Sequence, residues 1–140
     1  MADMRDWNRK VIEEFRANGG TVGGQFAGSP LLLLTTTGAK SGLLRTTPVQ
    51  YLPDGDRLFV FASKAGAPVS PDWYHNLVAH PTVTVELGSE RFEAEAVAMT
   101  GEERDRLYGQ MAARYTRFQD YQEKTTRRIP VIELRRKIYT

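Results

Sequence analysis

Two hairpin signatures constrain this 140-residue chain more than anything else in it. The first is Thr47–Leu52, the turn Pro53-Asp54-Gly55-Asp56, and then Arg57–Ser63. The second is Thr82–Leu87, with Val83, Val85 and Leu87 on one face, then Gly88-Ser89, then Glu90–Met99, with Phe92, Ala94, Ala96 and Ala98 on one face. Period-two alternation across a tight turn specifies antiparallel pairing. Leu31–Thr37, an apolar run passing into threonines, reads as a buried strand, and Ile129–Leu134 as a last strand. Sequential hairpins leave edges that closure protects best. The expected fold is α+β, mainly antiparallel β, closed or nearly closed, with flanking helices. No strand–helix alternation occurs and no G-x-G-x-x-G follows a strand, which argues against a parallel dinucleotide-binding sheet.

Helices are expected at three places. Met4, Trp7, Val11 and Phe15 form one stripe over Asp3–Asn18, and Gly19-Gly20 ends it. We divide the chain into this amphipathic helix (1–18), a Gly-rich arm (19–29, with Gly23, Gly24 and Gly28) and a single body (30–140). The helix carries Arg5, Arg9, Lys10 and Arg16 against Asp3, Asp6, Glu13 and Glu14. That balance favours docking on protein over docking on a membrane surface. Pro71 opens a short helix that ends by His80, before Pro81. Thr100 with Glu103 has the capping-box pattern, and the helix from Gly101 through Leu107, Met111 and Ala112 is expected to reach about Arg117.

Composition excludes several chemistries. There is no cysteine, so disulfides, thiolate metal sites and thiol nucleophiles are ruled out. Two histidines, His75 and His80, are too few for most zinc sites, and no metal is expected. A net charge of +2 forces no nucleic-acid footprint. No apolar run approaches the roughly 20 residues of a membrane span. A cytoplasmic protein is expected, with membrane contact at most weak and peripheral, at the inner face.

Four segments carry candidate chemistry. Thr35–Pro48 packs Thr37, Gly38, Lys40, Ser41, Gly42, Arg45 and Thr46 between two strands. It reads either as a polar connection or as an anion cradle, since glycines expose N–H groups and the cations add charge. No helix follows, so it is not a Walker A loop. Ala62-Ser63-Lys64-Ala65-Gly66 ends the third strand, and Lys64 there either joins Lys40 and Arg45 on one rim or is a solvated charge. In Pro71–Leu77, Trp73, Asn76 and Leu77 share a face, while Tyr74 and His75 face elsewhere. Tyr115, Phe118 and Tyr121 recur every three residues and form either a pocket wall or a packed helix end.

Together these segments, with Tyr121-Gln122 before Arg128-Ile129-Pro130, resemble the deazaflavin-dependent nitroreductases from Gly28 to Leu134. The resemblance implies a split β-barrel of the flavin-binding type that binds coenzyme F420, the reduced 8-hydroxy-5-deazaflavin. Lys40 and Arg45 would hold its phosphate and acidic tail, with Lys64 and Thr37–Gly42 helping. Thr46, Pro48 and Ala62 would complete that side. Ser63, Trp73, Tyr74 and Asn76 would line the deazaflavin. Gln50, Tyr115, Phe118 and Tyr121 would face a quinone-like acceptor. Gln50 and Phe118 stand where the prodrug-activating pattern has tyrosines, so nitroimidazole reduction is not implied.

The chemistry agrees with the composition. The cofactor passes a hydride, and the protein must hold two flat rings together. Tyr115, Tyr121 and Ser63 are the candidate proton donors, because a phenol titrates near pH 10 and remains a donor at neutral pH. The expected function is hydride transfer from reduced F420 to a quinone-like acceptor. An FMN flavoprotein on the same barrel, or a non-catalytic cofactor-binding module, are the alternatives.

Overall fold

The computed structural model describes residues 4–20, 22 and 30–137, with side chains from residue 8 onward. The stripe residues Met4 and Trp7 and the arm glycines Gly23, Gly24 and Gly28 lie outside the residues or side chains described. In chain order the elements are α1 (Met4–Ala17), β1 (Leu31–Thr37), β2 (Leu44–Asp54), β3 (Arg57–Phe61), a single 3-10 turn (Lys64–Gly66), α2 (Asp72–Ala79), β4 (Thr82–Leu87), β5 (Glu90–Ala98), α3 (Gly101–Arg114), α4 (Arg117–Lys124) and β6 (Val131–Arg136).

The six strands close into a split-barrel sheet in the order β1-β2-β3-β6-β5-β4, antiparallel throughout. Both expected hairpins form, with Asp54 facing Arg57 and Leu87 facing Glu90. Closure comes from β4 returning to β1, where Leu34 pairs with Val85.

The continuous apolar runs are explained by burial on both faces. Leu32 and Leu34 of β1, Leu58 and Val60 of β3 and Ile132 and Leu134 of β6 fill the barrel with Trp73 and Leu77 of α2. Leu31 and Leu33 point outward onto Val11 and Phe15 of α1. Phe59, Phe61 and Val131 point outward onto Leu107, Tyr108, Met111 and Phe118. Each fully buried apolar side chain is worth about 1.5–3 kcal/mol relative to exposure, so these outer helices are structural layers.

Several boundaries differ from the expectation. β2 starts at Leu44 rather than Thr47, because Leu44–Thr46 pair with Thr35–Thr37 and leave only residues 38–43 as loop. β3 stops at Phe61, where Ala62 N–H leaves the hairpin and donates to Pro130 O at 3.0 Å. β5 ends at an exposed Ala98, and the last strand lies two residues later than expected. The Thr100–Glu103 capping box does not form: the Thr100 side chain makes no cap bond, and Arg57 takes Glu103 at 2.9 Å. The helix expected to reach Arg117 ends at Arg114, where Tyr115 is extended (φ −134°, ψ 97°) and α4 starts afresh.

Candidate active site

Two clefts open on the same flank of the barrel, and Trp73 lines both. The outer cleft, of about 1050 Å³, is built on the β1–β2 connection and roofed by Asn8, Arg9, Ile12 and Arg16 of α1. The connection is tight. Gly38 N–H donates to Leu43 O at 2.7 Å, Gly42 N–H to Gly38 O at 2.9 Å, and Leu43 N–H to Ser41 Oγ at 3.1 Å. A Cβ on Gly38 would stand 2.5 Å from Ser41 Oγ and 3.2 Å from Leu43 O, and Gly42 has φ +71°, a conformation that favours glycine.

Asn76, buried on α2, locks this loop to the barrel. Its Oδ1 accepts from Ala39 N–H at 3.0 Å and its Nδ2 donates to Thr36 Oγ1 at 3.1 Å. Among the described residues the cleft walls carry Arg9, Arg16, Lys40 and Arg45 against one acid, Asp72, a donor set suited to a polyanion. Arg16 is already fixed to Glu86 by two bonds of 2.9 and 2.8 Å. That hydrogen bonding holds the Glu86 carboxyl below its ordinary range.

The inner cleft, of about 460 Å³, lies where β2 and β3 diverge beneath α4. Lys64 and Ala65 adopt left-handed backbone angles (φ 46° and 52°) that non-glycine residues avoid, at about 1–3 kcal/mol each. Arg127 holds this turn. Its guanidinium makes five hydrogen bonds, to Ala62 O, Ser63 O, Ala67 O twice and Ser70 Oγ, at 2.8–3.2 Å. Gly66 completes it: a Cβ there would stand 2.7 Å from Tyr121 O, so glycine lets α4 press onto the turn. Phe118 meets Tyr121 edge-on at 5.2 Å and Phe61 at 5.9 Å, giving an aromatic wall.

The structure thus divides the expected site residues. Gly38, Lys40, Ser41, Arg45, Thr46, Trp73 and Asn76 line the outer cleft. Pro48, Gln50, Ser63, Lys64, Phe118 and Tyr121 line the inner one, again with Trp73. Lys64 thus lines the inner cleft with Trp73, whereas Lys40 and Arg45 line the outer one. Thr37 ends β1, and Gly42 shapes the loop. Ala62 is fully buried and offers only its carbonyl, which Arg127 takes. Tyr74 packs on the barrel core and against His75 at 5.7 Å. Tyr115 lines neither cleft: its ring packs against the α3–α4 cluster, 5.4 Å beneath the Arg117 guanidinium.

Several contributors were not expected from sequence. Arg127 and the pair Arg104–Gln122 act through buried carbonyls: Arg104 reaches Ile129 O at 2.8 Å and Gln122 Oε1 at 2.7 Å. Tyr51, beside Tyr115, has its phenol raised by burial and then by that neighbour, so it stays protonated at neutral pH. Arg117, which donates to Gln50 Oε1, lies on the inner cleft. Its place next to Phe118 in the aromatic segment was the only available signal.

Comparison with known proteins agrees with this architecture. Residues 7–135 match the family model for F420H(2)-dependent quinone reductase. The chain is 42% identical over 130 residues to an F420H(2)-dependent quinone reductase of Mycobacterium tuberculosis, covering 88% of this chain and 85% of that protein. A solved F420-H2-dependent reductase superposes with a TM-score of 0.69 at 39% identity, covering 75% of this chain and 93% of that one. A second solved structure, a domain-swapped dimer, gives 0.71 at 36% identity, covering 94% and 99%. With a basic cleft and an aromatic cleft meeting at one tryptophan of a closed antiparallel barrel, this chain belongs to the F420H(2)-dependent quinone reductase family.

Proposed function

We propose that the chain binds reduced coenzyme F420 with its acidic tail in the outer cleft and its reactive ring at Trp73, and presents a quinone in the inner cleft. The observation that carries this reading is the junction at Trp73: one side is basic and glycine-shaped, the other walled by Phe61, Phe118 and Tyr121. Phosphate and carboxylate oxygens suit Lys40, Arg45 and the Gly38–Gly42 turn, and a flat ring suits the buried indole.

When bound, the coenzyme supplies a hydride, that is, two electrons and one proton. A quinone needs one further proton to become the hydroquinone, and this chain must deliver it. Tyr121 and Ser63 line the inner cleft and are the donors in reach there, with Tyr121 favoured by its longer side chain. Tyr115 acts at one remove, supporting Arg117 and standing beside Tyr51. Asn76 and Arg127 are positioning residues: the first fixes the tail-binding loop, the second the turn bearing Ser63 and Lys64. Phe118 is buried in the aromatic wall and Gln50 has an amide in place of a hydroxyl, so nitroimidazoles are expected to be poor acceptors.

Loss of F420H2 absorbance on addition of menadione tests the activity, and fluorescence titration of F420 tests the binding. Turnover in the unaltered protein, with weakened binding in Lys40→Ala/Arg45→Ala, is the expected result. Tight binding without turnover across several quinones would make the chain a cofactor-binding module instead. A yellow protein purified with one FMN per chain would point to a flavoprotein.

A further inference from the structure

The inner cleft carries two cations, Lys64 and Arg117, and no carboxylate among its described lining residues. On the barrel surface Arg57, Arg128 and Arg136 meet acids, Glu103, Asp105 and Glu90, at 2.6–3.0 Å. Arg117 differs from them. Its contacts are all neutral, namely Gln50 Oε1 and the rings of Tyr115 and Phe118 at 5.4 and 5.8 Å. The guanidinium is thus aimed by aromatic faces and an amide, and its charge is left unmatched at the cleft.

Gln50 reinforces the point. A guanidinium can only donate, so Gln50 must turn its oxygen to Arg117. That leaves Gln50 Nε2 buried with no hydrogen-bond partner. A buried donor without an acceptor is an unfavourable state, and an amide oxygen is a weaker partner for arginine than an anion. An anionic oxygen entering the cleft relieves both at once. It takes the guanidinium with a charge-assisted bond and frees the Gln50 amide to turn.

We propose that the inner cleft selects quinones that carry a negatively charged substituent, such as a carboxylate side arm, and that Arg117, released from Gln50, is the residue that reads the charge. This rests on the quinone-reductase reading and names the acceptor class within it. The redox balance is unchanged: the quinone ring gains the hydride and one proton, and the charged substituent is not altered. Arg117 raises the affinity for such acceptors and with it the discrimination in kcat/KM.

The test uses two acceptors with one ring, a 1,4-naphthoquinone bearing a propanoate arm and its methyl ester. In the unaltered protein the ratio of kcat/KM for acid over ester is expected to exceed one and to fall as ionic strength rises. Arg117→Gln should lower that ratio roughly tenfold, Arg117→Lys should retain part of it, and Arg117→Glu should invert it. Quenching of tryptophan fluorescence by each quinone, with no coenzyme present, should give the same order in Kd. An acid-to-ester ratio that Arg117→Gln and ionic strength both leave unchanged overturns the proposal. So does a loss of F420 affinity in Arg117→Gln at constant ratio, which would assign the cation to the coenzyme. If neither quinone is reduced by the unaltered protein, the reductase reading itself fails, and the quenching series still decides whether Arg117 selects anions.

Discussion

The outer and inner clefts share Trp73 but are made by different means. The outer cleft is a surface of side chains: Lys40 and Arg45 are exposed, and their loop holds its shape by hydrogen bonds of its own and one clamp from Asn76. The inner cleft is shaped by strain and burial: a left-handed turn at Lys64-Ala65, pinned by Arg127, with α4 pressed onto Gly66. The first can be altered one charge at a time. The second is held from regions far apart in sequence, so disturbing any member moves the whole wall. A basic mouth suits a long polyanionic tail, and a fixed aromatic slot suits two rings that must lie face to face.

This contrast can be broken at several points. The largest effect is expected from Lys40→Ala/Arg45→Ala, which should weaken F420 binding between about a hundredfold and about ten-thousandfold, from two charge-assisted contacts of about 1.5–3 kcal/mol each. The quinone KM at saturating coenzyme should move far less. Fluorescence titration alongside quinone kinetics separates the two, and an equal loss in both would erase the distinction between the clefts. Arg127→Ala should do the reverse. Losing its bonds to Ala62 O, Ser63 O and Ala67 O should cost about 2–4 kcal/mol in urea unfolding and lower kcat with little change in coenzyme Kd.

Gly66→Ala should cost about 1–3 kcal/mol, from its φ of +81° and the clash with Tyr121 O, and should raise the quinone KM as α4 is pushed outward. An alanine variant as stable as the parent would show that α4 does not press on the turn. Asn76→Ala should cost about 1–2 kcal/mol and loosen F420 binding near tenfold, since Ala39 N–H and Thr36 Oγ1 lose their partner.

The smallest effect concerns the roof of the outer cleft. Glu86 is depressed by its bond from Arg16, so the pair's contribution is complete above the ordinary glutamate value of 4.5. It is lost as pH falls through the lowered folded-state value. At about 0.5–1 kcal/mol for a largely surface pair, the roof helix should loosen only in acid, seen as faster amide exchange in residues 8–17. Glu86→Gln should remove that pH dependence. Because Val11 and Phe15 already pack on Leu31 and Leu33, co-sedimentation with liposomes is expected to be weak.

The hairpins, the α2 helix and the barrel-facing stripe of α1 were legible because their signals are local: alternation, turn residues and a repeating stripe. Trp73, Asn76 and Leu77 were expected on one face and are all buried. The break at Tyr115 was not legible, since neither glycine nor proline marks it and the helix stops only because the aromatic wall must turn onto Phe61. The capping box failed for a similar reason: Glu103 had two partners open to it, and Arg57 on a strand 46 residues away took it.

By itself the sequence determined the antiparallel strands, the cation-bearing glycine loop, the aromatic segment and the absence of thiol chemistry, because each depends on residues adjacent along the chain. Only the tertiary structure decided that Lys64 lines a different cleft from Lys40 and Arg45, that Ala62 is buried, that Tyr115 lies off the cleft, and that Arg127 and Arg117 matter. Those outcomes follow from where a closed barrel brings strand ends and helices together, and from which buried carbonyls and amides are left needing partners there.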